Sequence, residues 1–205
     1  MLHRRTVLLL TVASFLPAAA RLIRPARAQP ADGQASAFIK NLGDQLVAVV
    51  NGPESDHEKR AKLTTIIDGA VDVDGVARFC LGRFWRNASA EQQQRYTRLF
   101  HLVLVNNITA KLGEYRGVHF TMGRAQQRDD NAVVSTVVER PNNPPTNVDW
   151  IISNPGSDPK IIDVIAEGTS LRLTQRSDYA SYLSHNNNSI DALLNAMQQQ
   201  VAQAG

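Results

Sequence analysis

The stretch Lys160–Leu183, KIIDVIAEGTSLRLTQRSDYASYL, decides the fold. Ile161, Ile162, Val164 and Ile165 form a short β-branched run that ends at Glu167-Gly168, where glycine supplies the bend. A Thr-Ser step and two apolar residues, Leu171 and Leu173, lead into a helix for which Ser177 can serve as N-cap. Tyr179 and Leu183 then fall four apart on one helical face. The unit is a strand feeding a helix, and it contains no nucleophile pattern, metal cluster or phosphate loop.

Upstream of it the chain has a period of two. Val118, Phe120 and Met122 alternate with polar residues, and so do Val134, Thr136 and Val138 beyond the turn Asp129-Asp130-Asn131. Val148, Trp150 and Ile152 repeat the pattern before Asn154-Pro155-Gly156-Ser157-Asp158-Pro159 turns the chain into Ile161–Ala166. Four strands joined in this way predict an antiparallel meander. Before the strands the period is helical. Ala35, Phe38, Ile39, Leu42, Leu46 and Val49 define a first helix that stops at Asn51-Gly52-Pro53. His57–Ala70 is a second helix, and Val76–Leu81 is a third that Asp72 or Asp74 can cap and Gly82 ends. Ser89-Ala90-Glu91-Gln92 is a capping box opening a long helix striped by Tyr96, Leu99, Phe100, Val103, Leu104, Ile108 and Leu112. From Ser89 to Leu112 such a helix spans about 36 Å. Helices over Asp178–Ser184 and Ile190–Ala202 close the chain around Asn186-Asn187-Asn188. Helices, then strands, then helices predict an α+β domain, with helices on one face of a curved four-stranded sheet.

Residues 1–28 have the pattern of a removable export signal: Arg4-Arg5, an apolar run from Thr6 to Ala20, and Ala26-Arg27-Ala28 as a small-x-small cleavage motif. The apolar run falls short of the roughly 20 residues that a membrane-spanning helix needs. The arginine pair suits twin-arginine export, but Val7 stands where that signal usually has an aromatic, and the general secretory route is favoured. No cysteine stands at the cleavage site for a lipid anchor. Removal of five arginines leaves 17 Lys+Arg against 19 Asp+Glu, so the basic balance of the whole chain belongs to the export segment and does not argue for nucleic acid. Residues 29–205 are then one domain. Cys80 is the only cysteine, set in Ala77-Arg78-Phe79-Cys80-Leu81, and is expected to be a buried small hydrophobe.

Catalytic chemistry is absent from the pattern. His57, His101, His119 and His185 show no metal-ligand spacing, and Cys80 has no second thiol beside it. Asp129-Asp130 is a hairpin turn, and Gly113–Gly117 is a bend between helix and strand. Neither a catalytic set nor a metal nor a cofactor is expected.

The order of these motifs resembles the MlaC family, the periplasmic lipid shuttles also called toluene-tolerance or Ttg2-type auxiliary proteins. The resemblance rests on Asp163-Val164, Glu167-Gly168, Ser170-Leu171, Arg176 and Tyr179. Upstream it continues through Asp72, Ala77, Leu81-Gly82, Trp85, Phe100 and Leu112-Gly113-Glu114-Tyr115. It covers about Phe38 to Leu194. Two departures are Asn186–Asn188 in place of the usual glycine and Pro159-Lys160 in place of Trp-Lys. The hopanoid-associated relatives of that family also depart from its standard pattern.

Phe79, Phe84, Phe100, Leu104, Phe120, Val148, Trp150, Ile152 and Val164 point, on the strand and helix registers above, toward the space between helices and sheet. By themselves they describe either a filled core or a cavity. The resemblance implies a cavity for lipid acyl chains, with Arg176 or Lys160 placed to meet a headgroup phosphate. It also implies two partners, an outer-membrane lipoprotein complex and an inner-membrane MCE-domain ABC transporter, with phospholipid or a hopanoid-like lipid as cargo. Each buried methylene is worth about 0.8 kcal/mol relative to water, so two chains of roughly sixteen carbons have on the order of 25 kcal/mol at stake. A pocket that matches the bilayer can therefore move lipid through water without polar chemistry. Two rivals stand beside this: an interaction domain with a filled core, and a cone-shaped isomerase- or dehydratase-like enzyme for an apolar substrate. The enzyme would have to use Asp149, Asp163 or His101, and both aspartates fall opposite the apolar strand face.

Overall fold

A computed structural model describes residues 31–203 of the chain, and the export segment expected over residues 1–28 lies outside them. Four helices come first: α1 (Ala31–Asn51), α2 (Asp56–Ala70), α3 (Val73–Leu81) and, after a 3-10 turn over Gly82–Asn87, α4 (Ala90–Thr109). A second 3-10 turn, Leu112–Tyr115, leads into β1 (His119–Arg128), β2 (Asn131–Glu139), β3 (Thr146–Ser153), β4 (Lys160–Ala166) and β5 (Thr169–Ser170). Helices α5 (Leu171–His185) and α6 (Ile190–Gln203) complete the α+β arrangement. The sheet is an antiparallel meander in the order β1-β2-β3-β4-β5.

The local signals act as expected at several places. Ser89 and Gln92 cap each other reciprocally at the start of α4, and Asp72 caps α3 by accepting from Gly75 N at 2.9 Å. A second capping box, Ser55 with Glu58, opens α2.

Two expectations are corrected. The sheet has a fifth strand, because Glu167 and Gly168, with φ of 48° and 78°, form a two-residue turn that folds Thr169–Ser170 back onto Ile165 and Ala166. The last-but-one helix begins at Leu171, not near Ser177. Ser170 is its N-cap, accepting from Leu173 N at 3.2 Å while its hydroxyl donates to Asp163 Oδ2 at 2.6 Å. The strand thus fixes the cap of the helix that follows it, a tertiary contact that a local scan for caps does not see.

The apolar residues gather in two separate cores. One is helical: Tyr96, Leu99, Phe100 and Val103 of α4 pack with α3, α5 and α6. The other lies on the sheet, where Ala35, Ile39 and Leu42 of α1 cover Ala132, Val134, Ile152 and Ile161. The α2–α3 junction joins the two. Asp72 N donates to Ile161 O at 3.0 Å, and Val71 bridges Ile161. Cys80 is buried, with its thiol 3.5 Å from Arg172 O, and burial pushes its pKa up to about 12.

Candidate functional site

Strand register arranges the helix-facing side of the sheet in cross-strand rows. The first row is Gln127–Ala132–Ile152–Ile161, the second Ala125–Val134–Trp150–Val164, the third Met122–Thr136–Val148–Ala166, and the fourth begins Phe120–Val138. A bulge between Met122 and Ala125 keeps β1 in step with its neighbour. Coverage falls along these rows. In the first, Ala132, Ile152 and Ile161 are buried, and Gln127 on the edge strand is exposed. In the second and third rows Val134, Thr136 and Val148 are buried, while Ala125, Trp150, Val164, Met122 and Ala166 are half-covered. In the fourth, Phe120 and Val138 are both half-covered.

At its N-terminal part α1 seats Ala35 and Ile39 fully against the sheet. Further along, Gly43 lets it close on Phe120, since a Cβ there would stand 2.3 Å from Phe120 Cζ. Polar groups on the face are satisfied internally. The Trp150 indole donates to Thr136 Oγ1 at 2.9 Å, and that hydroxyl reaches Val148 O at 3.4 Å. The indole is thereby held against β2, and the surface it presents is apolar.

The nine apolar residues singled out in the sequence divide between the two cores. Phe84 and Phe100 are buried in the helical core, and Phe79 and Leu104 pack half-buried at its edge. Val148 and Ile152 are buried on the sheet, where Phe120, Trp150 and Val164 are half-covered. Met122, Val138 and Ala166 join them on the same rows; the alternation of β1 and β2 contains that signal for Met122 and Val138.

Lys160 and Arg176 line different places. Lys160 donates to Gly69 O at 2.6 Å, lies 3.7 Å from Asp158, and borders an open cleft of about 650 Å³ shared with Asp68, Asp72, Asp74 and His101. Arg176 borders a second open cleft, of about 460 Å³, with Arg78, Arg83 and Arg86. Sequence reasoning missed that clustering: Arg78, Arg83 and Arg86 lie close together in the chain, but Arg176 joins them only through the packing of α5.

The residues an enzyme would have needed are engaged elsewhere. Asp163 accepts from Ser170 Oγ, from Arg172 N at 3.2 Å and from its own neighbour Val164 N at 2.8 Å, with Arg172 Nε 3.3 Å away. Asp149 accepts from Ser135 Oγ at 2.6 Å, and His101 Nε2 lies 2.7 Å from Asp68 Oδ1 on the helical side. They sit in three different settings. Among the described residues no group of three or more His, Cys, Asp or Glu side chains could hold a metal ion.

A part-covered apolar sheet roofed by helices is the framework of a carrier for apolar ligands. The sequence pattern of the family described as MlaC protein matches residues 40–199. The chain belongs to that family: it is a periplasmic protein of lipid transport and not an enzyme. It is 27% identical over 144 residues to the toluene tolerance protein ttg2D of Pseudomonas putida, covering 69% of this chain and 67% of that protein. Its fold is similar to that of a phospholipid-binding protein from Ralstonia solanacearum solved in complex with a phospholipid. The TM-score is 0.69 at 23% identity, over 83% of this chain and 98% of the other.

Proposed function

We propose that this protein carries phospholipid between an outer-membrane lipoprotein complex and an inner-membrane MCE-domain ABC transporter. On this reading residues 1–28 are a removable export signal and residues 29–205 one lipid-binding domain. The observation that carries it is the gradient of coverage on the sheet: the apolar rows are sealed at one end and half-covered at the other. Phe120, Met122, Val138, Trp150 and Val164 are left half-buried on the side that helices face. Acyl chains laid along these rows would complete them, with Val148 and Ile152 beneath. The phospholipid held by the Ralstonia solanacearum neighbour supports the choice of cargo over a hopanoid-like lipid. Lys160 and Arg176, lining separate clefts, offer two alternative places for a headgroup phosphate.

Native mass spectrometry and solvent extraction of protein purified from the periplasm test the reading. A mass increment that dissolves into phospholipid species is the expected result. Recovery of a hopanoid-like lipid alone would replace the cargo, and a protein with no extractable lipid would overturn the carrier.

A further inference from the structure

We propose that the cleft between α3, the 3-10 turn and α5 docks this protein onto the surface of an anionic lipid bilayer. Arg78, Arg83, Arg86 and Arg176 line it together with Phe79 and Trp85, and no acidic residue contributes to its wall. All four arginines are exposed, and among the described residues none is in an ion pair. With Arg172 beside them they amount to five of the 17 basic residues in a described chain whose acids number 19. Positive charge is thus concentrated on one face of a slightly acidic molecule, which orients it toward a negative surface.

Three of the four guanidiniums are held by stacking. Arg78 lies over the Trp85 ring at 5.7 Å, Arg83 over Phe84 at 4.9 Å, and Arg176 over Phe79 at 4.9 Å. Stacking uses the planar face of a guanidinium and leaves its N–H edge, which matches phosphate oxygens, to polar partners; Arg176 Nη1 also donates to Phe79 O at 3.5 Å. Arg176 also approaches Gly82, where a Cβ would stand 3.1 Å from its Nε, so the left-handed glycine (φ 58°) makes room for it.

A bilayer is favoured over an acidic polypeptide by what adjoins the cleft. Leu173, at the head of α5, is 56% exposed, the highest value among the exposed large apolar side chains. Leu173 stands three residues before Arg176 and so beside it on the helix. Arginines with a half-buried tryptophan and a protruding leucine make an amphipathic patch: cations for headgroup phosphates, apolar groups for the boundary below them. The proposal goes beyond the carrier reading and does not depend on it.

Flotation of the purified protein with vesicles tests it. Vesicles of phosphatidylcholine containing phosphatidylglycerol are expected to carry the protein, vesicles of phosphatidylcholine alone are not, and added salt should release it. Arg78→Gln, Arg83→Gln and Arg86→Gln should each lower partitioning roughly fivefold and the triple variant about a hundredfold, whereas Arg128→Gln, on the β1–β2 turn, should change nothing. Leu173→Ser should weaken the binding that survives salt. Equal flotation with both vesicle types, or an unaltered triple variant whose melting temperature matches the native protein, overturns the proposal. Release by inorganic phosphate well beyond that by chloride at equal ionic strength would overturn it in favour of a soluble anion. Arginine-dependent binding of polyglutamate without flotation would do so in favour of an acidic protein. Lipid content is read separately by solvent extraction. A loaded protein that ignores the vesicles sinks this proposal alone, and an empty one that floats sinks only the carrier.

Discussion

In the helical core Tyr96, Leu183 and Leu194 have no exposed surface, and Tyr96 meets Phe100 and Tyr179 at ring-centroid distances of 5.9 and 6.0 Å. Its hydroxyl donates to Ala77 O at 3.0 Å, and burial raises the pKa of both Tyr96 and Tyr179. On the sheet the same kinds of residues are treated differently. Ile152 is fully buried, but Trp150 and Val164, its neighbours one row along, are half-covered. The helical core is closed because helices meet it on several sides. The sheet has one long helix across β1 and β2, while β4 meets the ends of others. One region therefore supports the fold, and on the proposed function the other keeps apolar surface in reserve for a ligand.

Substitutions should separate the two. Leu194→Ala and Ile152→Ala, in fully buried positions, are expected to cost about 2–5 kcal/mol each in urea unfolding. Asp163→Asn, which strips charge from the acceptor that holds Ser170, Arg172 N and the Arg172 guanidinium, should cost about 1–3 kcal/mol by the same measurement. Val138→Ala on the half-covered row should cost less, about 1 kcal/mol. Ala166→Trp should sharpen the contrast: placed on the part-covered third row, it should abolish co-purified lipid while unfolding shifts by less than about 2 kcal/mol. If it unfolds the protein as severely as Leu194→Ala, the sheet face is as tightly packed as the helical core and the contrast is lost. Ser89→Ala should remove about 1 kcal/mol through the α4 cap. Cys80 should resist thiol reagents at pH 8 and react only on unfolding, because burial holds it protonated far above that pH.

Much of the fold was legible because its determinants are local. The alternation of Val134, Thr136 and Val138 fixes which side of β2 faces the helices, and the Ser89–Gln92 box sets the start of α4 within a residue. The start of α5 was not legible, since Ser170 caps it only after Asp163 has taken its hydroxyl. Glu167 and Gly168 were visible as a bend, but the pairing of Ser170 with Ile165 depends on both residues adopting positive φ. The candidate site was half legible. Trp150, Val164 and Phe120 lay on the expected strand face, but periodicity gives direction and not depth, so it could not tell them from Phe84 and Phe100 in the other core.

By itself, then, the sequence determined the element types, their order, the apolar side of each strand and the family motifs, all of which depend on residues close together in the chain. Tertiary structure decided the rest: the division of the apolar residues into two cores, the loss of coverage along the sheet and the meeting of arginines from α3, the turn and α5. Those features depend on how far one element covers another, a distance in space that spacing along the chain does not record.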